Sequence, residues 1–259
     1  MITPKNILST IMLLIIKKLS AYDIKRIEPP FWWAGFNNKK LQLMVYGKDI
    51  SKLTPKINYK GIQISKVHRV DSPNYLFIDL LLKKDKPKKF TIKFDRGEKT
   101  ILKRDYEIFK KQKIGEERET LNSSDVIYLI TPDRYANGDE KNDEVSSLLE
   151  GSDRSNKDGR HGGDIQGIIN NLDYIEDMGF TQIWLNPVLE NNQADYSYHG
   201  YSTTDYYNID PRFGSNKLYQ DLAKKAKEKD IGLIKDLVLN HIGSGHWWMN
   251  DLPTDDWLN

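Results

Sequence analysis

The hydrophobic pattern of the chain changes near Asp125, and this change constrains the fold more than any other sequence feature. Before it, apolar and polar residues alternate in short stretches such as Leu41–Val45 and Phe90–Phe94, with turn-forming residues between them. Short alternating strands separated by regular turns are typical of a β-sandwich of the immunoglobulin-like kind. The pattern therefore predicts such a sandwich over residues 22–118.

After this change, continuous apolar runs alternate with segments of helical periodicity. The runs are Val126–Ile130, Thr181–Leu185 and Gly232–Leu239, and such runs are typical of strands buried on both faces. Apolar residues at helical spacing predict helices over Ile165–Met178 and Leu218–Lys229. This order gives parallel strands with right-handed crossovers, and the long polar loops after the strands indicate the first part of a (β/α)8 TIM barrel.

The two halves of the chain also differ in charge. The first 124 residues are strongly basic and the remainder strongly acidic, although the net charge is only +2. This switch predicts two domains that meet near residues 119–125. We expect the sandwich domain to end at residue 118 and the barrel domain to cover 119–259. A basic domain can indicate nucleic-acid binding. Here the lysines are scattered over strands and turns, which favours a solvated face, and we expect no nucleic-acid partner.

The first 21 residues have the pattern of a signal peptide. The apolar run Ile7–Ile16 is too short to span a bilayer, and a cleavage site is predicted near Ala21. The alternative is a buried segment. Export would place the protein in the periplasm or outside the cell. The chain has no cysteine for a lipid anchor, so we expect no stable attachment to the membrane.

A polar loop after the first barrel strand is a candidate cation site. Its oxygen-bearing side chains are those of Asn137, Asp139, Asn142 and Asp143. Ca²⁺ takes about 6–8 oxygen ligands, including backbone carbonyls, but Asx-rich turns without a metal are also common. Further on, His161-Gly162-Gly163-Asp164 has neither dinucleotide nor P-loop spacing, and by itself it indicates a helix cap.

A tyrosine-rich loop follows the second barrel strand, on the side where barrel enzymes carry their active sites. Tyr201 could stack on a sugar ring, and His199 and Asp205 could make polar contacts with it. The alternative is a structural loop held by tyrosine hydroxyl groups.

The third barrel strand ends in a second polar cluster. Asp236 lies within an apolar run, so its charge must be paired or hydrogen-bonded. Asn240 and His241 follow at the carboxyl end of the predicted strand, where a functional role is favoured over a role in the core.

Taken together, these segments resemble the α-amylase superfamily, glycoside hydrolase family 13. Asp236–His241 is similar to the first conserved region of that family. Gly179–Pro187 resembles an early strand with the pattern GF…IW.NPV, and His199–Tyr206 resembles its YHGY…DY loop. These matches lie within residues 125–259.

Other segments narrow the resemblance to neopullulanases and cyclomaltodextrinases. Asp133–Asp139, with Gly162-Gly163-Asp164, is similar to that group. Glu28–Gly35 and Leu41–Gly47 resemble the N-terminal β-sandwich of its exported bacterial members, which act in starch utilisation. The resemblance therefore extends over residues 25–259.

The resemblance implies roles for individual residues. Tyr201 would stack under the sugar at the cleavage site, and His241 would bond a hydroxyl of the same sugar, aided by His199 or Asp205. Asp236 and Asn240 would hold the loop around His241. One Ca²⁺ would be bound by the polar loop, with these residues contributing: Asn137, Asp139, Asn142, Asp143, Gly162 through its carbonyl, and Asp164.

The resemblance also implies an activity, retaining hydrolysis of α-1,4 glucosidic bonds in starch, pullulan or cyclodextrins. Retention needs two carboxyl groups roughly 5 Å apart. In the family they follow the fourth and fifth strands, and no residue here matches them. Because the chain ends at Asn259, after the third strand, we expect a fragment that is inactive alone. The alternative is a non-catalytic protein that binds starch or maltooligosaccharides.

Overall fold

The computed structural model describes residues 22–83, 86–111 and 121–259. The predicted signal peptide and the predicted boundary at 118 and 119 lie outside these residues. The described chain forms two compact units. The first contains the residues up to 111 together with 251–259, and the second contains residues 121–250.

The first unit contains two four-stranded sheets. One has the order β1-β3-β6-β5 and the other β2-β8-β7-β4, and among the described strands of this unit only the β2–β8 pair is parallel. The strands are β1 Arg26–Glu28, β2 Trp32–Trp33, β3 Lys40–Tyr46, β4 Thr54–Ile57, β5 Ile62–His68, β6 Tyr75–Leu82, β7 Lys88–Arg96 and β8 Lys99–Phe109.

The alternating residues of these strands build one shared core. Leu43 and Ile78 of the first sheet and Ile92 and Phe94 of the second are fully buried in the same cluster. Their polar neighbours, such as Gln42 and Lys93, are exposed. The period of two read from the sequence therefore corresponds to a core between the two sheets.

The last residues of the chain belong to this first unit. The carboxylate of Asp251 accepts three side-chain hydrogen bonds, from Tyr46 Oη (3.1 Å), Ser72 Oγ (2.8 Å) and Asn74 Nδ2 (2.7 Å). The Tyr75 hydroxyl donates to the Asp251 carbonyl. The Trp257 ring lies 5.7 Å from that of Phe77.

The second unit is built on a three-stranded parallel sheet of order β13-β10-β9. Its strands are β9 Ile127–Ile130, β10 Gln182–Leu185 and β13 Gly232–Lys235. Its helices are α1 Pro132–Tyr135, α2 Ile165–Asn170, α3 Leu172–Asp177 and α4 Asn216–Lys227. Two short strands, β11 Leu189–Glu190 and β12 Asp205–Ile209, pair antiparallel in the loop after β10.

Two predicted elements have different limits in the structure. The helix predicted over Ile165–Met178 is divided at Asn171, whose side-chain Nδ2 donates to the carbonyl of Gly167 at 2.7 Å and competes with helical bonding. The strand predicted over Gly232–Leu239 ends at Lys235. Its partner β10 ends at Leu185, and Pro187 soon follows without an N–H to continue pairing.

The expectation that the parallel strands are buried on both faces is wrong for the described residues. Ile183 and Leu185 pack into the core with the helices. On the opposite face, Ile127, Leu129 and Trp184 are 44%, 54% and 39% exposed. One face therefore carries the helices and the other remains open. Among the described residues, the helices are too short or too polar to cross a membrane.

Candidate functional site

The tyrosine-rich loop after β10 forms a tightly bent segment before Tyr201. A 3-10 turn over Ser197–His199 is flanked by two residues with left-handed backbone, Tyr196 at φ 60° and Gly200 at φ 82°. A non-glycine residue in this region is strained by roughly 1–2 kcal/mol, so the surrounding contacts must impose the turn.

This loop meets the segment after β13. The Tyr201 hydroxyl donates to Asp236 Oδ2 at 3.0 Å, and His241 Nε2 donates to the Tyr201 carbonyl at 2.9 Å. The Tyr201 N–H donates to His199 Nδ1 at 2.9 Å. Four of the residues predicted from the sequence are thus brought together, beyond the carboxyl ends of adjacent parallel strands.

The hydrogen bonds define the protonation of His199. Its Nδ1 accepts from a backbone N–H, so the neutral ring carries its proton on Nε2. Burial lowers the pKa of His199, and the carboxylate of Glu150 opposes part of this shift. His199 is therefore maintained as a neutral imidazole with one N–H available.

The backbone of Tyr201 is held by hydrogen bonds, and its ring is partly exposed. The side chain is 38% exposed, while the main chain and the hydroxyl are both bonded. Burial, and then the hydrogen bond to Asp236, raise the pKa of Tyr201. A neutral, oriented and partly exposed ring is suited to stacking on a sugar.

The remaining predicted residues have different environments. Asp205 is buried at the start of β12, where it accepts from the Tyr207 N–H at 2.8 Å and from Asn208 Nδ2 at 3.1 Å. Asn240 is exposed beside His241, and its side chain makes no hydrogen bond within the described part of the chain.

Sequence reasoning did not assign a role to Tyr206. Its hydroxyl donates to the carbonyl of His241 at 2.7 Å and so restrains the segment after β13. The only sequence signal was its place in the YHGY…DY pattern.

The predicted cation loop is gathered around Asp164, the N-cap of α2. The Asp164 carboxylate accepts from the N–H groups of Gly138 (3.1 Å), Asp139 (2.9 Å) and Gly167 (2.6 Å) and from Asn142 Nδ2 (3.0 Å). These bonds fold the loop back onto the helix that follows it. The capping interpretation of the sequence describes this residue well.

The other predicted ligands lie within the same loop. Asn137 Nδ2 donates to both carboxylate oxygens of Asp143, at 2.8 and 2.9 Å. A Cβ on Gly162 would lie 2.6 Å from Asp143 Oδ1, so only glycine allows this approach. The Oδ1 atom of Asn142 is buried and has no hydrogen-bond partner within the described ranges. Such an unpaired oxygen among carboxyl and amide groups fits a hard cation.

Comparisons with known proteins agree with this arrangement. A family model for the α-amylase catalytic domain matches residues 129–256, and one for the cyclomaltodextrinase N-terminal domain matches residues 26–112. The chain belongs to the α-amylase superfamily, glycoside hydrolase family 13. It combines the start of that catalytic domain with an N-terminal domain of the cyclomaltodextrinase kind.

Individual relatives match about half of this chain. A beta/alpha-amylase of Paenibacillus polymyxa is 46% identical over 123 residues, 47% of this chain and 10% of that protein. A cyclomaltodextrinase of Thermoanaerobacter pseudethanolicus is 36% identical over 141 residues, 52% of this chain and 24% of that protein. Neopullulanase 2 of Thermoactinomyces vulgaris is 38% identical over 128 residues, 49% of this chain and 21% of that protein. The chain thus spans a quarter or less of the length of these relatives.

Proposed function

We propose that this chain is the N-terminal portion of an α-glucan hydrolase of the neopullulanase or cyclomaltodextrinase type. The observation that carries the proposal is the hydrogen-bonded group of His199, Tyr201, Asp236 and His241. The names of two relatives, a cyclomaltodextrinase and a neopullulanase, support the hydrolysis of α-glucans. The bonds that we propose are cleaved are the α-1,4 bonds of starch, pullulan or cyclodextrins.

Each residue of this group has a part in holding one sugar unit. Tyr201 offers its ring face, and Asp236 fixes the direction of that ring through the hydroxyl. His199 has an N–H on Nε2 that can donate to a sugar hydroxyl. His241 supports the backbone of Tyr201 and lies beside the same sugar. Together they form one wall of a sugar subsite.

The reaction needs groups beyond this wall. A retaining mechanism requires a nucleophile and a general acid/base roughly 5 Å apart. Asp236 is committed to the Tyr201 hydroxyl and Asp205 to the backbone and side chain of its neighbours. Neither is assigned to these roles, and we infer that residues 1–259 bind an α-glucan without cleaving it.

The family assignment does not define the architecture of either unit in detail. We propose that the two sheets of the first unit form an immunoglobulin-like sandwich, supported by their shared core. We also propose that the parallel sheet is the start of a (β/α)8 barrel, supported by its open apolar face. A crystal structure of a longer form would contradict this if other strands did not extend the sheet.

The function is tested by titrating purified 1–259 with β-cyclodextrin and maltoheptaose in a calorimeter. We expect saturable binding that weakens by ~10-fold or more in Tyr201→Ala, because aromatic stacking is lost. Tyr174→Ala is the matched control, since this tyrosine is 54% exposed on α3. Binding that does not depend on Tyr201 would overturn the proposed subsite. Release of reducing sugar would overturn the inference that this chain does not cleave.

We further propose one Ca²⁺ in the loop around Asp164. The side chains of Asn137, Asp139, Asn142 and Asp143 and the carbonyl of Gly162 would hold the ion, while Asp164 keeps the loop folded around them. The unpaired Asn142 oxygen supports this set. Within the described ranges no three His, Asp or Glu side chains form a metal-binding group, so amide and carbonyl oxygens must complete the shell. The ion would order this loop.

Finally, we propose that the protein is exported, on the pattern of residues 1–21 alone. N-terminal sequencing of protein recovered from the periplasm or medium should then start near Tyr22. Recovery only from the cytoplasm, with Met1 retained, would contradict export.

A further inference from the structure

Ser197 is the anchor of the turn that leads to Tyr201. It is fully buried, and all three of its polar groups are bonded to residues from other segments. Its N–H donates to Glu150 Oε2 at 2.6 Å, and its carbonyl accepts from Asn191 Nδ2 at 3.2 Å. Its hydroxyl accepts from Arg160 Nη1 at 3.3 Å. Within the turn, the Gly200 N–H also donates to the Ser197 carbonyl at 3.3 Å, whereas the bonds to the Ser197 N–H and hydroxyl come from other segments.

The groups that hold Ser197 are themselves fixed. Arg212 Nη1 donates to the Glu150 carbonyl at 2.7 Å, and Arg212 in turn makes paired bonds to Asp210 at 2.9 and 2.8 Å. Arg160 is 1% exposed, and its guanidinium lies 3.7 Å from Asp133 and over the ring of Phe213. The Glu150 backbone therefore cannot shift easily to compensate for a shorter side chain.

The turn needs this support because it is strained on both sides. Tyr196 has a left-handed backbone at φ 60°, and its side chain is 53% exposed, so its own packing cannot impose the conformation. Four residues after Ser197, the ring of Tyr201 must reach Asp236. An error in the direction of the turn would move His199 and Tyr201 together.

We propose that Glu150 is a positioning residue for the glucan subsite: by accepting from the Ser197 N–H it fixes the turn that presents His199 and Tyr201. Glu150 acts through Ser197 and touches no sugar. The inference rests on the proposed function only for the use of Tyr201 as a sugar platform. The effect of Glu150 on the turn is independent of any ligand.

Two conservative variants separate the effect of the length of the Glu150 side chain from the effect of its charge. Glu150→Gln keeps an oxygen at the same distance but removes the charge. Glu150→Asp keeps the charge but shortens the side chain by one methylene, so the carboxylate no longer reaches the Ser197 N–H. The matched control is Glu144→Asp, because Glu144 accepts from another serine N–H, that of Ser152, at 2.7 Å.

The first measurement is the pKa of the His199 ring by NMR in the purified chain 1–259. Glu150→Gln should lower this pKa below the wild-type value, because the turn stays buried while a nearby negative charge is lost. Glu150→Asp should raise it toward the ordinary value, because a loosened turn exposes the ring to water. Glu144→Asp should leave it unchanged. In the wild-type structure the rings of Tyr198 and Tyr201 lie 5.6 and 5.8 Å from the ring of His199.

The second measurement is the affinity for β-cyclodextrin. Glu150→Gln should bind within about twofold of wild type, whereas Glu150→Asp should bind ~10-fold more weakly, because misplaced contacts lose most of their value. The proposal is overturned if Glu150→Gln weakens binding and Glu150→Asp does not. It is also overturned if neither variant moves the His199 pKa in the stated direction. If the wild-type chain binds no glucan, the proposed function fails. The pKa of His199 measured by NMR in the Glu150 variants still decides whether Glu150 holds the turn in place.

Discussion

The surroundings of Gly200 allow only glycine at this position. It has a left-handed backbone, at φ 82°, and a Cβ at this position would lie 1.9 Å from the carbonyl oxygen of Pro187. Two separate costs therefore apply to any side chain, one for the backbone and one for the clash. The turn before Tyr201 passes too close to the end of β10 for anything larger than glycine.

Gly179 allows the two costs to be separated. It has nearly the same backbone, at φ 79°, but nothing lies within 4 Å of its Cβ position. We expect Gly179→Ala to lower the free energy of unfolding by about 1 kcal/mol, the backbone cost alone. Gly200→Ala should lower it by about 3 kcal/mol or more, because a backbone atom must also move. Urea unfolding followed by tryptophan fluorescence measures both, and equal losses would contradict the clash.

At the level of elements, the loops carry the chemistry and the strands fix where the loops begin. The loop at residues 137–143, between α1 and α2, is held mainly by one helix cap, Asp164, rather than by strands or a core of its own. Such a loop depends on its polar contacts, so an ion that completes them should stabilise the unit that contains it.

We expect millimolar Ca²⁺ to raise the melting temperature of the chain, and chelation to lower it. Saturation of one site at about 100 times its dissociation constant contributes about 2.7 kcal/mol. Asn142→Ala should abolish most of this response, because it removes the buried unpaired oxygen. Asn156→Ala is the control, since Asn156 is exposed in the same loop. A full response in Asn142→Ala, or none in wild type, would exclude this site.

At the level of the whole molecule, the assignment of the last nine residues was not evident from the sequence. They follow the second unit along the chain but pack within the first, through Asp251 and Trp257. A carboxylate that accepts from a tyrosine, a serine and an asparagine side chain contributes more than a single exposed contact. Asp251 therefore has a structural role, which agrees with leaving it out of the catalytic set.

Removing this carboxylate should release the end of the chain. We expect Asp251→Ala to lower the free energy of unfolding of the first unit by about 1–3 kcal/mol, because three donors lose their partner. Limited proteolysis should then cleave the segment 251–259 earlier than in wild type. Asp255→Ala is the control, because Asp255 is exposed and makes no hydrogen bond in the described structure. Similar cleavage of both variants would contradict the role of Asp251.

The sequence by itself determined the family, the change from alternating to continuous strands, and the choice of His199, Tyr201, Asp236 and His241 as candidate site residues. These follow from periodicity and from motifs, which are local properties of the chain. Contacts between distant segments decided the rest: the anchoring of Ser197 by Glu150, the break at Asn171, the early end of β13 and the place of Asp251. The physical reason is that hydrogen-bond geometry and strand pairing depend on which segments meet in space, and neither composition nor spacing encodes that meeting directly.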